Sequence, residues 1–189
     1  MKQIPRPLPG TYPAYYASYI SDLVGEDLSA ALRYVSEDEW RTQEMVPDEL
    51  WNHRYAPGKW TIKEVFQHIV DVERVFSYRA LCIARNERAS LPGMDENAYQ
   101  DESRAGERTV PSIMREMEAV RHSTMELFDN FDDKAISRSG IANGNQITVP
   151  ALGWIIAGHS AHHMRIIRER YLVQPLPSHG AAFTKALVR

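Results

Sequence analysis

Two histidines four residues apart, His159 and His163, have the type and spacing that most directly suggest chemistry. They lie in the segment VPALGWIIAGHSAHHMRIIRERYL, where apolar residues recur at helical spacing. On one helix both imidazoles point the same way, as in helical zinc sites. A buried imidazole without a partner costs about 1–3 kcal/mol, so each ring needs a hydrogen bond or a ligand. A metal site and a pair of hydrogen-bonded core histidines are both compatible with this segment.

A third candidate ligand, His68, follows the capping box Thr61-Ile62-Lys63-Glu64. This box predicts a helix from Thr61 to about Asn86. His68 falls at the border of its apolar stripe, a position typical of solvated histidines as well as of ligands. Asp71 lies one turn further on, where a carboxylate can orient His68 or accept a proton. An ordinary solvated carboxylate is the equally open interpretation of Asp71.

The overall composition predicts one globular domain over residues 1–189, with 43% apolar and 25% charged residues. We expect an extended arm over 1–12 and a tail over 173–189. The net charge of −3 offers no electrostatic footprint for nucleic acid. No apolar run approaches the roughly 20 residues that span a bilayer. A single cysteine, Cys82, and a proline-broken N-terminus favour a cytoplasmic protein without membrane or nucleic-acid partners.

Helical periodicity predicts an all-α protein with four long helices and few strands. The predicted segments are 13–34, 61–86, 109–130 and 149–172, with a short extra helix that starts at the Ser36 capping box. Residues 90–108 are predicted to be a long loop, in which Asp95 and Tyr99 are best placed to reach a site. Asn143-Gly144 predicts a small hairpin. Long connections allow a non-sequential bundle, whose metal sites are built from inward side chains on facing helices.

The sequence resembles the DinB/YfiT-like superfamily of metal-dependent enzymes in three segments, PGKWTIKEVFQHIVDVERVFSYRALCIAR, LPGMDENAY and GWIIAGHSAHHMRII. The resemblance covers about residues 15–171. It depends most on Trp60 before the capping box, on His68 with Asp71 and Glu73 behind it, and on the terminal His-x-x-x-His. It implies an up-down-down-up four-helix bundle with long connections, frequently a homodimer. It also implies a divalent metal, such as zinc or nickel, on His68, His159 and His163. Members of the superfamily include thiol S-transferases that use bacillithiol, mycothiol or glutathione-like cofactors, and proteins described as hydrolases.

Three neutral histidines with open coordination positions are typical of a catalytic rather than a structural metal site. Such a metal can activate water or deprotonate a thiol. We therefore expect a metal-dependent transferase of a low-molecular-weight thiol onto small electrophiles, with Asp71 as the candidate catalytic residue. The thiol would be a cosubstrate, and the substrate a small molecule. A metal-dependent hydrolase of small esters or amides, and a non-catalytic metal-binding module that binds a partner, are the alternatives.

Overall fold

Four long helices dominate the computed structural model, which describes residues 3–172. They are α1 (Leu28–Met45), α2 (Ile62–Ala84), α3 (Val110–Asp129) and α4 (Val149–Ile166), the last extended by a π-helical turn at Ile167–Tyr171. Helix α2 begins at the predicted capping box, in which Thr61 and Glu64 each accept a backbone N–H of the other. The prediction of an all-α protein is confirmed. No helix within residues 3–172 is long and apolar enough to cross a membrane.

Short elements connect these helices. Short α-helices span Ala17–Ser21, Glu96–Glu102 and Asp133–Ile136, and 3-10 turns span Ala14–Tyr16, Asp48–Leu50 and Ala105–Glu107. An antiparallel hairpin pairs β1 (Ser139–Ala142) with β2 (Asn145–Thr148). Its turn residues Asn143 and Gly144 have φ of 49° and 71°, which matches the right-handed twist of the strands. The predicted hairpin is confirmed.

Contacts between helices determine the direction of each pair. Between parallel helices the numbers of the paired residues rise together, as in Leu28–Gly153, Glu39–Ser160 and Thr42–Arg168 for α1 and α4, and in Glu73–Arg121 and Ser77–Thr124 for α2 and α3. Between antiparallel helices one number rises as the other falls. His68 of α2 pairs with His159 of α4, and Trp60, just before α2, pairs with Tyr171 at the end of the π-helical turn. The order is therefore up-down-down-up, with α4 between α1 and α2. This topology places the histidines of α2 and α4 on facing helices.

The helix predicted over 13–34 is wrong in its bounds. The chain leaves the short helix Ala17–Ser21, turns at Gly25 with φ of 117°, and starts α1 after Asp27. The Asp27 carboxylate accepts the backbone N–H of Ala30 and caps α1. A left-handed glycine followed by a capping aspartate interrupts the helix, although the apolar pattern continues across the break.

The helix start predicted at Ser36 is also wrong, because α1 continues through it to Met45. The Ser36 hydroxyl donates to the carbonyl of Leu32 inside the helix. Glu39, which would complete the capping box, turns inward and binds Arg121. A buried charge partner therefore outweighs the local capping signal.

Residues 90–108 are not the continuous loop that the sequence predicts. They contain the helix Glu96–Glu102 and a 3-10 turn. The Asp95 carboxylate accepts the backbone N–H groups of Asn97 and Ala98 and so caps the helix. A seven-residue helix offers too few apolar positions for periodicity to reveal it.

The N-terminal arm packs on the bundle of its own chain. Ile4 is buried, and its carbonyl accepts the backbone N–H of Leu28 at 3.0 Å and the indole N–H of Trp154 at 3.3 Å. The Arg6 guanidinium lies 4.7 Å above the Trp154 ring and donates to the carbonyl of Leu23. The predicted tail over 173–189 lies outside the described residues.

Two clusters of buried apolar residues meet near the middle of α2 and α4. Val70 and Met164 belong to one cluster, and Val72 and Ala157 to the other. The histidines of the two helices lie close to this boundary. Buried polar side chains thus occupy the middle of the bundle, where they need partners or a ligand.

Candidate metal centre

The structure brings together the three histidines that the sequence singles out. The Nε2 atom of His159 lies 3.0 Å from Nε2 of His68 and 3.0 Å from Nε2 of His163. The three possible ligand atoms all lie within 4.8 Å of one another. His68 comes from α2 and the other two from successive turns of α4, so two facing helices converge on one point.

Burial keeps these imidazoles neutral. Only 3% of His68 and 7% of His159 is exposed, and His163 is half-buried. Burial lowers the pKa of His68 to about 4. Burial, and then repulsion from neighbouring histidines, lowers the pKa of His159 and of His163 well below the usual value. At neutral pH, therefore, each ring has a lone pair free for a cation.

The donor set fits a divalent ion that prefers nitrogen. Nitrogens at about 2.0–2.1 Å from a tetrahedral ion lie about 3.4 Å from one another, within the observed spread from 3.0 to 4.8 Å. Nε2 of a neutral His159 has either one lone pair or one N–H, so it cannot make two full hydrogen bonds to His68 and His163, whereas a cation satisfies all three rings. Among residues 3–172, no carboxylate or thiol joins this group. The three imidazoles suit zinc, nickel or copper.

Aromatic rings cover the histidines on two sides. The Trp60 ring lies 4.6 Å from that of His68. The hydroxyl of Tyr171 donates to the Trp60 carbonyl at 2.6 Å. The Tyr19 ring lies 6.0 Å from His159 on the other side. These contacts restrict how the imidazoles can rotate.

The chain is similar to known proteins in sequence and in fold. The family model of the DinB superfamily matches residues 22–167. The chain belongs to the DinB superfamily. Its structure is similar to that of YfiT from Bacillus subtilis, described as a probable metal-dependent hydrolase with an unusual four-helix bundle topology. That match has a TM-score of 0.68 at 18% identity and covers 86% of this chain and 89% of YfiT. No curated protein matches the sequence.

A glycine of this DinB bundle allows Tyr19 to reach His159. A Cβ atom at Gly158 would lie 2.1 Å from the carbonyl oxygen of Tyr19. The short helix Ala17–Ser21 therefore crosses α4 at a position where only glycine fits. Sequence reasoning missed Tyr19, although a glycine next to a candidate ligand in a helix was a usable signal.

A buried polar cluster lies behind His159. The Arg121 guanidinium donates to both oxygens of Glu73, at 3.0 and 3.1 Å, and to Glu39 at 2.8 Å. The neighbour of His159, Ser160, donates to the same oxygen of Glu39. Sequence reasoning did not connect these residues. Charged residues at apolar-stripe spacing, such as Glu39 after Leu32 and Val35, were the available signal.

Asp71 belongs to a polar cluster between α2 and α3. Its carboxylate accepts from the Gln67 amide at 3.1 Å and lies 4.0 Å from the Arg74 guanidinium. Gln67 in turn accepts from Arg108. Burial raises the pKa of Asp71, although Gln67 and Arg74 oppose that shift. These contacts link Asp71 to the turn of α2 that carries His68.

Neither the neighbouring His162 nor the remaining candidates from the sequence join the three histidines. His162 packs against Tyr19, with ring centroids 5.0 Å apart, and contacts Arg165. Asp95 is used as a helix cap, and Tyr99 is 51% exposed. Cys82 is half-buried and packs against the apolar core.

Proposed function

We propose that this DinB-superfamily member is a metal-dependent enzyme that acts on small molecules. His68, His159 and His163 would hold a divalent ion of the zinc or nickel type. Their convergence as neutral rings, without a fourth protein ligand among the described residues, supports this proposal. A fourth ligand closes a structural site, whereas three ligands leave a position for a small molecule.

For the reaction we propose transfer of a low-molecular-weight thiol onto a small electrophile. When bound, the ion supplies a positive charge that lowers the pKa of a thiol or a water molecule beside it. The neutral ligand set favours an anionic reactant, since it does not offset that charge. Cys82 follows His68 by fourteen residues on α2, roughly 21 Å along the helix axis, so the thiol must come from outside. The Trp60 and Tyr19 rings exclude water from two sides of the histidines.

We propose that Asp71 either orients His68, through its contact with the neighbouring Gln67, or accepts a proton during the reaction. The Asp71→Asn variant separates the two roles. A proton acceptor contributes about 10²–10⁴-fold to the rate, so its loss should lower kcat by at least about 100-fold. A positioning role should change kcat by less than about tenfold and leave the pH profile intact.

Metal content is the first test of the proposed site. The His163→Ala variant should lose tight binding of zinc and nickel yet keep its helical circular dichroism, because the apolar stripes of all four helices remain. His122→Ala is the matched control, since His122 is an exposed histidine on α3. Full metal retention by His163→Ala would overturn the ligand assignment, and its unfolding would indicate a structural metal.

The reaction class is tested on metal-loaded protein with glutathione and chlorodinitrobenzene. Thiol transfer predicts conjugation by the wild type and none by His68→Ala. Hydrolysis is the second candidate, because the similar YfiT structure is described as a probable metal-dependent hydrolase. Cleavage of nitrophenyl acetate without any thiol conjugation would support it. Inactivity in both assays would favour a non-catalytic metal-binding module. Homodimer formation remains a prediction, which light scattering tests directly.

A further inference from the structure

Two arginines of this bundle are buried in very different surroundings. Arg121 is 3% exposed and is paired with Glu39 and Glu73. Arg79 is 5% exposed, and none of the ion pairs among residues 3–172 includes it. Burial lowers the pKa of Arg79. Burial acts in the same direction on Arg121, but the carboxylates of Glu39 and Glu73 outweigh it and raise the pKa of Arg121. Within the described residues, the charge of Arg79 is therefore buried without an ion-pair partner, which requires an explanation.

Arg79 lines a cleft of about 260 Å³ between the N-terminal tyrosines, α2 and the hairpin. Aromatic rings and polar side chains share its walls: Tyr15, Tyr16, Phe76, Glu96, Asn143 and Asn145. The Tyr16 and Phe76 rings meet edge to face at 6.0 Å. The volume is close to the lower end of that of small-molecule sites. The walls of this cleft expose more polar than apolar surface.

The Arg79 guanidinium is held in place before any ligand arrives. It donates to the carbonyl of Pro92 at 2.7 Å and lies 4.9 Å from the centroid of the Phe76 ring. These two contacts use only part of its five-donor fork. The remaining donors suit an oxygen pair such as that of a carboxylate.

We propose that this cleft binds the carboxylate of a small organic molecule, with Arg79 as its counter-ion. The aromatic walls favour an organic body over an inorganic anion. Arg79 follows His68 by eleven residues on α2, so the two side chains leave nearly the same face about 16 Å apart along the axis. Tyr16 and Tyr19, with ring centroids 6.1 Å apart, lie between the cleft and His159. The inference does not depend on the proposed metal chemistry.

The charge of Glu96 allows a test of whether the cleft binds an anionic or a cationic group. Its carboxylate lines the same cleft, and burial, followed by repulsion from Asp95, raises its pKa. At neutral pH a charged Glu96 would repel a bound carboxylate. The Glu96→Gln substitution should therefore tighten binding, whereas it should weaken binding if Glu96 were part of the recognition of a cationic group.

The proposal is tested by titrating chelator-treated protein with benzoate. Binding is monitored by tyrosine fluorescence and by NMR. Removal of metal ensures that benzoate cannot bind an ion on the histidines. The wild type should bind benzoate saturably, and should bind benzamide and inorganic phosphate more weakly. Arg79→Met should weaken benzoate binding by at least about tenfold, since hydrogen bonds to charged groups are strong. The Arg79→Lys variant keeps the charge but not the guanidinium fork, so its affinity for benzoate should lie between those of the wild type and Arg79→Met.

Arg85→Met is the matched control, because Arg85 is an exposed arginine at the end of the same helix. It should bind benzoate like the wild type. If Arg79→Met fails to fold by circular dichroism, the opposite shifts expected for Arg79→Lys and Glu96→Gln still decide the matter. No saturable benzoate binding, equal affinity for benzamide, preference for phosphate, or an unchanged Arg79 variant would each overturn the proposal. If the protein binds benzoate as expected but shows no metal-dependent activity, that result would contradict the proposed function and not the carboxylate site.

Discussion

Replacement of Arg121 by methionine should greatly lower the free energy of unfolding of the bundle. Arg121 binds Glu39 and Glu73, each 2% exposed, and also the Leu32 carbonyl and the Ser36 hydroxyl. Removal of one partner of a buried ion pair costs about 3–5 kcal/mol. Because two carboxylates lose their partner here, we expect a loss near the upper end of that range. The total free energy of unfolding of globular proteins is about 5–15 kcal/mol, so this loss would be a large part of it.

Urea unfolding of chelator-treated protein measures this loss. The control is Arg115→Met, an exposed arginine on the same helix, which should change stability by less than about 0.5 kcal/mol. Adding Glu39→Gln and Glu73→Gln to Arg121→Met should recover part of the loss, since none of these three buried charges then remains.

The pH dependence of Arg121→Met has a definite sign. Burial already raises the pKa of Glu39, and loss of Arg121 removes the main opposing charge. A carboxyl group whose folded pKa exceeds its unfolded value destabilises the protein above that pKa, and acidification relieves the penalty. The difference in free energy of unfolding between Arg121→Met and the wild type should therefore become smaller as the pH falls. A variant within about 1 kcal/mol of the wild type at neutral pH would refute the role assigned to the cluster.

Three further predictions concern the histidines and the residues that cover them. In metal-free protein, the fall of the His68 pKa from 6.5 to about 4 corresponds to about 3 kcal/mol of stability, present above pH 6.5 and lost as the pH falls toward 4. The difference in urea unfolding between the wild type and His68→Gln over that pH range measures it, because the lowered pKa values of His159 and His163 add to the total. Gly158→Ala should cost about 1–3 kcal/mol in the same assay, because its methyl group would overlap the Tyr19 carbonyl. Tyr171→Phe should cost about 0.5–1.5 kcal/mol and alter tryptophan fluorescence, because the Trp60 carbonyl loses its donor.

Matched variants separate these effects from general damage. His68→Gln should remove most of the His68 share of the pH dependence, whereas the exposed His122→Gln should preserve it. Gly106→Ala should be nearly neutral, since no atom lies within 4 Å of the added methyl group. Equal costs for Gly106→Ala and Gly158→Ala would contradict the steric explanation. An unchanged fluorescence spectrum in Tyr171→Phe would show that Trp60 is held by other contacts.

The sequence alone predicts the elements that depend on neighbours along the chain. The capping box at Thr61 and Glu64 and the Asn143-Gly144 turn are formed by residues within three positions of one another. The spacing of His159 and His163 is likewise a property of one helix. Such short-range interactions recur wherever the local sequence recurs, so pattern reasoning finds them.

The tertiary structure decides what depends on distant partners. His68 is 91 residues from His159 along the chain, and only the up-down-down-up packing brings their Nε2 atoms to 3.0 Å. Sequence reasoning placed His68 at a stripe border, where a solvated ring and a ligand look alike. From the residues themselves His68 was the third candidate ligand, with a solvated ring as the other interpretation, and the family resemblance favoured the ligand.

The same reason explains the helix start wrongly predicted at Ser36 and the polar cluster that α1 contains. Glu39 satisfies a capping motif locally but binds Arg121, 82 residues away, in the core. Arg79 is another charge whose surroundings are set by distant segments, including Pro92 and the N-terminal tyrosines. Local patterns therefore determine the long helices and the candidate ligands of α4. Which charges are buried, and what they face, is determined only when the helices pack, because burial and pairing are long-range properties.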